Sequence, residues 1–181
     1  MKNRKLTLVF ARAAVIAAMY VVLSFIAPSF GIVQFRLSEA LTVLPLFIPE
    51  AIIGLTLGCF IANMIGSVWI DALLGSLVTL IAGVITMLIG KAIRNHALRL
   101  SLGVIPPILL NAIVVPFVLV LCEVAAMGAY WATFGSVALG QCVCIIGLGV
   151  PLYFAVGRAL GYFKKKPPQE KYTIDKVNTK E

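Results

Sequence analysis

Residues 34–49, QFRLSEALTVLPLFIP, place a group of polar and charged side chains at the head of an otherwise apolar run. The group consists of Gln34, Arg36, Ser38 and Glu39. If the segment that follows is helical, Arg36 and Glu39 are three positions apart and lie on one face. One interpretation is a salt bridge at a helix start, with Ser38 as the cap. The alternative is that the cluster meets a ligand.

The composition excludes an ordinary soluble domain. The 181 residues are 61% hydrophobic and 12% charged, and the mean hydropathy is +1.06. Soluble domains carry roughly 25% charged residues. A chain this apolar would expose large patches to water, so we predict an all-α integral membrane protein. Its first apolar run has a positive start but is too long for a signal peptide, so we expect it to remain as a helix.

Six apolar segments predict six transmembrane helices. The second is short, because a bilayer needs roughly 20 residues, so it must tilt or use residues 30–35 for part of its depth. A membrane domain of residues 1–163 would precede a polar tail, residues 164–181, which we expect to be disordered at its end. A basic loop, residues 91–99, separates the fourth and fifth spans. The predicted spans are residues 6–27, 37–48, 50–66, 70–90, 104–123 and 132–161.

The charges fix an orientation. With six spans, every one of the 15 Lys and Arg residues except Arg36 falls on the same side of the membrane. The positive-inside rule makes that side the cytoplasm, so both termini are predicted to be cytoplasmic. An odd number of spans would break this partition. Because the net charge of +8 flanks apolar spans, it does not indicate nucleic-acid binding.

Acidic and aromatic residues collect at the predicted outer ends of the spans. The aromatic rings either form an interfacial belt or offer stacking surfaces to a planar ligand. Polar groups deeper in the spans need partners in hydrocarbon, so they either bond between helices or line a pocket open to the outside. The acids are Glu39, Asp71 and Glu123; the rings are Trp69, Tyr130 and Trp131; the deeper polar residues are Asn63, Ser76, Asn111 and Gln141.

The first span carries ARAAVIAA, in which small residues recur at spacings that let another helix approach closely. The pattern fits packing within the bundle and docking of a separate protein equally well. Its small residues are Ala11, Ala13, Ala14, Ala17 and Ala18.

Metal, cofactor and enzyme chemistry find no support in the motifs. The four cysteines form no CxxC pair, and the single histidine, His96, is distant from them in sequence. The Gly90–Lys91 pair is not preceded by the glycine spacing of a P-loop. We therefore predict a transport or binding protein with no cofactor.

Four segments together resemble the QueT family, the substrate-binding S components of energy-coupling factor (ECF) transporters assigned to queuosine precursors and related deazaguanines. They are QFRLSEALTVLPLF, GLTLGCFIANMIGS, DALLGSLVTLIAG and PPILLNAIVVPF. The resemblance covers residues 11–161. It implies an S-component-like helical bundle in the bacterial cell membrane.

The resemblance also implies a mechanism. An S component captures substrate from outside and docks by its alanine face on a transmembrane coupling protein that carries two ABC-type ATPases. Residues 29–35 would act as a gate. The block with Arg36 and Glu39 would help form the site, with Asn63, Asp71 and Asn111 as further candidates, and Gln141 stands where the family often has a glutamate.

Residue chemistry and resemblance together define the candidate ligand-binding set: Gln34, Arg36, Glu39, Asn63, Trp69, Asp71, Asn111, Glu123, Tyr130, Trp131 and Gln141. Three alternatives remain open: an S component for another vitamin-like ligand, a solitary proton-coupled carrier, and a membrane-embedded lipid-modifying enzyme.

Overall fold

A computed structural model describes residues 2–26, 35–123 and 125–163, and every regular element in those ranges is helical. The predicted tail, Gln34 and all of the expected gate except Phe35 lie outside the described residues. The elements are α1 (Lys2–Ile26), a 3-10 helix (Leu37–Leu46), α2 (Ala51–Gly66), α3 (Trp69–Ala92), α4 (His96–Gly103), α5 (Ile105–Leu121), a 3-10 turn (Met127–Ala129), α6 (Tyr130–Cys144), a π-helical turn (Ile145–Gly149) and α7 (Val150–Ala159).

Four helical runs are long and apolar enough to cross a membrane: Leu6–Ile26, Trp69–Ala92, His96–Leu121 and Met127–Ala159. The 3-10 helix and α2 are apolar but shorter. Large apolar side chains such as Val22, Phe117 and Leu139 point outward, as a lipid environment permits. The prediction of an all-α membrane protein is confirmed, and the count of six spans stays a prediction.

The second predicted span is not an ordinary transmembrane α-helix. It is a ten-residue 3-10 helix, which at about 2.0 Å per residue covers roughly 20 Å. Every residue from Ser38 to Leu46 is buried, and the segment contacts α1, α3, α7 and the π-helical turn. Runs of 3-10 helix longer than 3–4 residues are uncommon because their hydrogen bonds are poor. Packing on all sides therefore holds this segment at the centre of the bundle.

The predicted sixth span is one continuous run interrupted by the π-helical turn Ile145–Gly149. Pro151 lacks the N–H that would bond to the carbonyl of Gly147, so the regular ladder is already weakened there. Gly149 sits against the 3-10 helix: a Cβ at this position would lie 3.1 Å from the carbonyl oxygen of Ala40. The turn therefore lets the last long helix pack closely on the central segment.

The basic loop predicted for residues 91–99 is shorter than expected. Helix α4 begins at His96, and its N-terminus is capped by Asn95, whose side chain accepts hydrogen bonds from the amides of Ala97 and Leu98. Arg99 is buried, with its guanidinium carbon 4.8 Å from the ring centroid of Phe47. A cation over an aromatic face is stabilised in such a site, which offsets the cost of burying the charge.

The alanines of α1 fall on two faces. Ala13 and Ala17 are buried against α2, where a Cβ on Gly54 or Gly58 would lie 2.5 or 2.9 Å from their respective carbonyl oxygens. These two pairs of small residues let the backbones of α1 and α2 come close. Ala11, Ala14 and Ala18 are exposed on the outside of the bundle.

Candidate ligand-binding site

Glu39 lies at the centre of a buried polar cluster and is 2% exposed. Its Oε1 accepts a hydrogen bond from the Tyr20 hydroxyl at 2.6 Å, and its Oε2 accepts one from Asn111 Nδ2 at 3.3 Å. Both oxygens act as acceptors, which suits an ionised carboxylate. The three side chains come from α1, the 3-10 helix and α5, so one carboxylate joins three elements of the bundle.

Arg36 and Asp71 form the second part of this cluster. Arg36 Nη2 lies 3.7 Å from Asp71 Oδ2, and both side chains are buried. Asp71 is in the first turn of α3, where a negative charge is favoured by the helix dipole. Burying a charge costs several kcal/mol unless it is paired, so this ion pair ties the start of the 3-10 helix to α3.

Ser38 does not cap the 3-10 helix. The N-cap position is Arg36, and no side chain caps it. The hydroxyl of Ser38 instead lies 2.8 Å from the hydroxyl of Ser24 on α1. Ser38 therefore fastens the 3-10 helix to α1, one turn along from the Tyr20–Glu39 bond.

Asn63 joins the cluster through its amide nitrogen. Its Nδ2 donates to the backbone carbonyl of Asp71 at 3.3 Å and approaches the sulfur of Cys59 at 3.5 Å. Its Oδ1 is buried and has no hydrogen-bond partner among the described residues. Gly75 makes room for this amide, since a Cβ there would lie 2.8 Å from Asn63 Nδ2.

Gln141 is 5% exposed, and its Oε1 is likewise buried without a hydrogen-bond partner in the part of the chain that the structure describes. It shares a face of α6 with Val137 and with Cys144 and Ile145, one turn later, all of which are buried. Helix α6 contacts the 3-10 helix, and Ile145 lies in the same buried apolar cluster as Val43 of that helix. Gln141 therefore faces the central segment from α6.

The remaining candidates lie at the periphery. Trp69 and Trp131 are 64% and 76% exposed, and Glu123 is exposed with a left-handed backbone (φ 58°). Tyr130 is partly buried and donates a hydrogen bond to the carbonyl of Ile113 at 3.0 Å. Glu123 and Tyr130 help to line a separate cavity of about 600 Å³ between α5 and α6. The structure thus brings Arg36, Glu39, Asn63, Asp71 and Asn111 together, with Gln141 facing the same central segment.

Sequence reasoning missed Tyr20 and Gly75. Tyr20 is fully buried and follows Ala13 and Ala17 on the same face of α1, at helical spacing. A tyrosine on a buried stripe needs a partner for its hydroxyl, so its position could have pointed to Glu39. A glycine inside a helix, as Gly75 is in α3, destabilises the helix relative to alanine. Such a glycine indicates that another group packs closely against the helix backbone.

The described residues show no group that could hold a metal ion, and the four cysteines are free thiols. His96 lies within 3.3 Å of the Tyr153 hydroxyl, in an aromatic group with Phe163 rather than in the Glu39 cluster. The cluster thus offers hydrogen bonds and charge to a ligand.

Comparison with known proteins assigns the chain to a family. The model of the QueT transporter family matches residues 10–158. A 72-residue stretch is 40% identical to the "Queuosine precursor transporter QueT" of Lactococcus lactis subsp. cremoris (strain MG1363), covering 38% of this chain but only 43% of the relative's length. No solved structure matches the chain at a significant level. The chain is therefore a multi-pass membrane protein that belongs to the QueT transporter family, a family of transporters rather than enzymes.

Proposed function

We propose that this protein is the substrate-capture subunit of an ECF-type importer and binds a queuosine precursor or a related deazaguanine from outside the cell. A coupling protein and two ABC-type ATPases would then drive its delivery inward. Family membership and the name of the Lactococcus relative support the ligand class. The observation that carries the proposal is the buried polar cluster around Glu39 in an otherwise apolar bundle.

The chemistry of the cluster suits this ligand class. A deazaguanine presents a ring N–H and an exocyclic amine on one edge and a carbonyl on another. Buried carboxylates and amide oxygens accept from the first edge, and Arg36 or an amide nitrogen donates to the second. The cluster contains one cation, Arg36, against two acids, Glu39 and Asp71. A side-chain amine on the precursor would balance the excess negative charge.

The proposed orientation has six spans with both termini in the cytoplasm, the two shorter apolar helices supplying the second and third spans. Arg12 on α1 pairs with Glu50 at the start of α2 at 3.5 Å. Both residues belong to the predicted cytoplasmic ends of their spans, so the pair is consistent with this arrangement. The Arg36–Asp71 pair would then lie toward the outer side, where Gln34, Trp69, Glu123, Tyr130 and Trp131 would line the approach.

The proposed docking face for the coupling protein is the exposed alanine stripe of α1. It consists of Ala11, Ala14 and Ala18, since Ala13 and Ala17 are used in packing on α2. Two shallow apolar grooves run along this helix, one of about 370 Å³ that includes Ala11 and one of about 300 Å³ that includes Ala18. Small residues beside grooves allow a partner helix to approach closely.

The test is a paired measurement on the double variant Ala14→Trp, Ala18→Trp. We expect ligand affinity of the isolated protein to stay within a few-fold of wild type, because both side chains point away from the cluster. Uptake in vesicles that contain the coupling protein and ATPases should fail. The control is Leu139→Trp, which places the same ring on an exposed position of α6 that is 70% exposed.

Three outcomes would overturn parts of the proposal. Normal uptake by the double variant would show that this face docks no partner. Loss of folding would show that these alanines pack within the bundle. Uptake by the wild-type protein alone in liposomes, without ATPases, would instead identify a solitary carrier.

A further inference from the structure

The buried side-chain amides in and beside the Glu39 cluster include two unused acceptor oxygens. The two oxygens of Glu39 already accept from Tyr20 and Asn111, and Asn63 Nδ2 already has acceptors. Of the three buried amides, those of Asn63, Asn111 and Gln141, two have a buried side-chain atom without a hydrogen-bond partner among the described residues. These atoms are Asn63 Oδ1 and Gln141 Oε1, and both are acceptors. A bound molecule would therefore meet unused oxygens there.

We propose that Asn63 Oδ1 and Gln141 Oε1 read N–H donors of the bound ring, so that the site selects a guanine-like ring over one that lacks the exocyclic amine. This inference rests on the proposed function, since it takes the ligand to lie in the Glu39 cluster. It assigns the discrimination against a ring without the exocyclic amine to the oxygens of two neutral amides.

An unpaired buried acceptor is costly, and this cost explains why such a site discriminates. The ligand-free protein already bears the penalty of two unsatisfied oxygens, and a ligand with matching donors removes it. A ring without the donor leaves the oxygen buried and unsatisfied. At about 1–3 kcal/mol for each unpaired group, the difference in affinity is roughly fivefold to a hundredfold.

Gly75 acts as a positioning residue for the Asn63 side chain. The space that its missing Cβ leaves is occupied by the Asn63 amide, with Asp71 Oδ1 at 3.5 Å and Cys59 Sγ at 3.9 Å from the same point. The amide nitrogen is fixed by the carbonyl of Asp71, so the direction of Oδ1 is fixed as well. A rotated amide would present its nitrogen, a donor, in place of the acceptor.

The test compares Gln141→Met with the wild type. Methionine is close to glutamine in length and shape but lacks the oxygen. Binding is measured by calorimetry for a 7-deazaguanine and for the matching 7-deazahypoxanthine, which has no exocyclic amine. The matched control is Val143→Met, which places the same side chain on the same helix at a position that is 55% exposed. Gln141→Glu keeps the acceptor oxygens and should keep the affinity.

In the wild type, we expect the deazaguanine to bind at least fivefold more tightly than the deazahypoxanthine. In Gln141→Met, affinity for the deazaguanine should fall at least fivefold, while the ligand-free protein keeps its thermal midpoint because a buried unsatisfied group has been removed. The control should behave as the wild type does. A similar fall with Gln141→Glu, which keeps both the shape and an acceptor oxygen, would show that the amide N–H or the neutral charge of Gln141 matters and would overturn the role of its oxygen.

Equal affinity of the wild type for the two rings overturns the inference, and this result needs no variant to fold. So does an unchanged deazaguanine affinity in a folded Gln141→Met protein. Failure of the wild type to bind either ring is a different result, since it removes the proposed function itself.

Discussion

Replacing Glu39 by alanine should damage both stability and binding, and the contacts of Glu39 set the size of the effect. The change strands the hydroxyl of Tyr20 and the amide of Asn111, both in buried positions. An unsatisfied buried donor costs about 1–3 kcal/mol, so Glu39→Ala should lower the free energy of unfolding by about 2–6 kcal/mol. Because this is a large part of a typical stability of about 5–15 kcal/mol, the variant should fold with a clearly lower thermal midpoint. Ligand binding should be abolished.

A second substitution separates this explanation from a general loss of packing. Tyr20→Phe alone removes a bond to a carboxylate and should cost about 1.5–3 kcal/mol. In the Glu39→Ala background the same change removes the stranded hydroxyl, so it should restore about 1–3 kcal/mol. The assay is unfolding in detergent followed by tryptophan fluorescence, on the wild type, both single variants and the double variant. Strictly additive losses would refute the Tyr20–Glu39 bond, and wild-type ligand affinity in Glu39→Ala would remove Glu39 from the site.

Two further predictions concern the orientation of the protein in the membrane and the positioning of the Asn63 side chain by Gly75. In intact cells, a cysteine that replaces Asn95 should be inaccessible to an impermeant thiol reagent, because the positive-inside rule puts residue 95 in the cytoplasm. A cysteine that replaces Ser29 should react. The reverse pattern would show that the protein has the opposite orientation in the membrane. Gly75→Ala should lower ligand affinity about tenfold, because the added Cβ would lie 2.8 Å from the Asn63 amide and would displace it. The control, Gly135→Ala, has nothing within 4 Å of the added Cβ and should bind as the wild type does. Equal affinities for the two variants would show that Gly75 does not position the site.

Much of the helical architecture could be predicted from hydropathy alone. α2, α3 and α5 begin and end within two residues of the predicted spans, because Pro, Gly and charged residues bound each apolar run. The 3-10 form of residues 37–46 could not be predicted, since the same apolar pattern also fits an α-helix. Its form depends on burial against neighbours that are distant in sequence. The burial of Arg99 could not be predicted either. Its charge predicted a loop, whereas in the structure its guanidinium packs on the ring of Phe47 inside the protein.

The polar cluster was partly predictable for a similar reason. Polar residues in apolar spans must find partners, which singled out Glu39, Asp71 and Asn111 without showing how they pair. The two hydrogen-bond partners of Glu39, Tyr20 and Asn111, lie 19 and 72 residues away from it in sequence, so no local pattern reveals them. The exposed tryptophans illustrate the opposite case. An aromatic residue at a span end fits a membrane interface and a stacking surface equally well. Only the structure shows that Trp69 and Trp131 are largely exposed, whereas Glu39 is buried.

The most direct test of the central claim is calorimetry on the purified wild-type protein with free deazaguanines, including precursors with and without a side-chain amine, and with guanine as the comparison. We predict saturable binding of one deazaguanine per protein, tighter than that of guanine, with the ligand recovered chemically unchanged. The absence of binding to every deazaguanine would contradict the account, and so would recovery of a converted product.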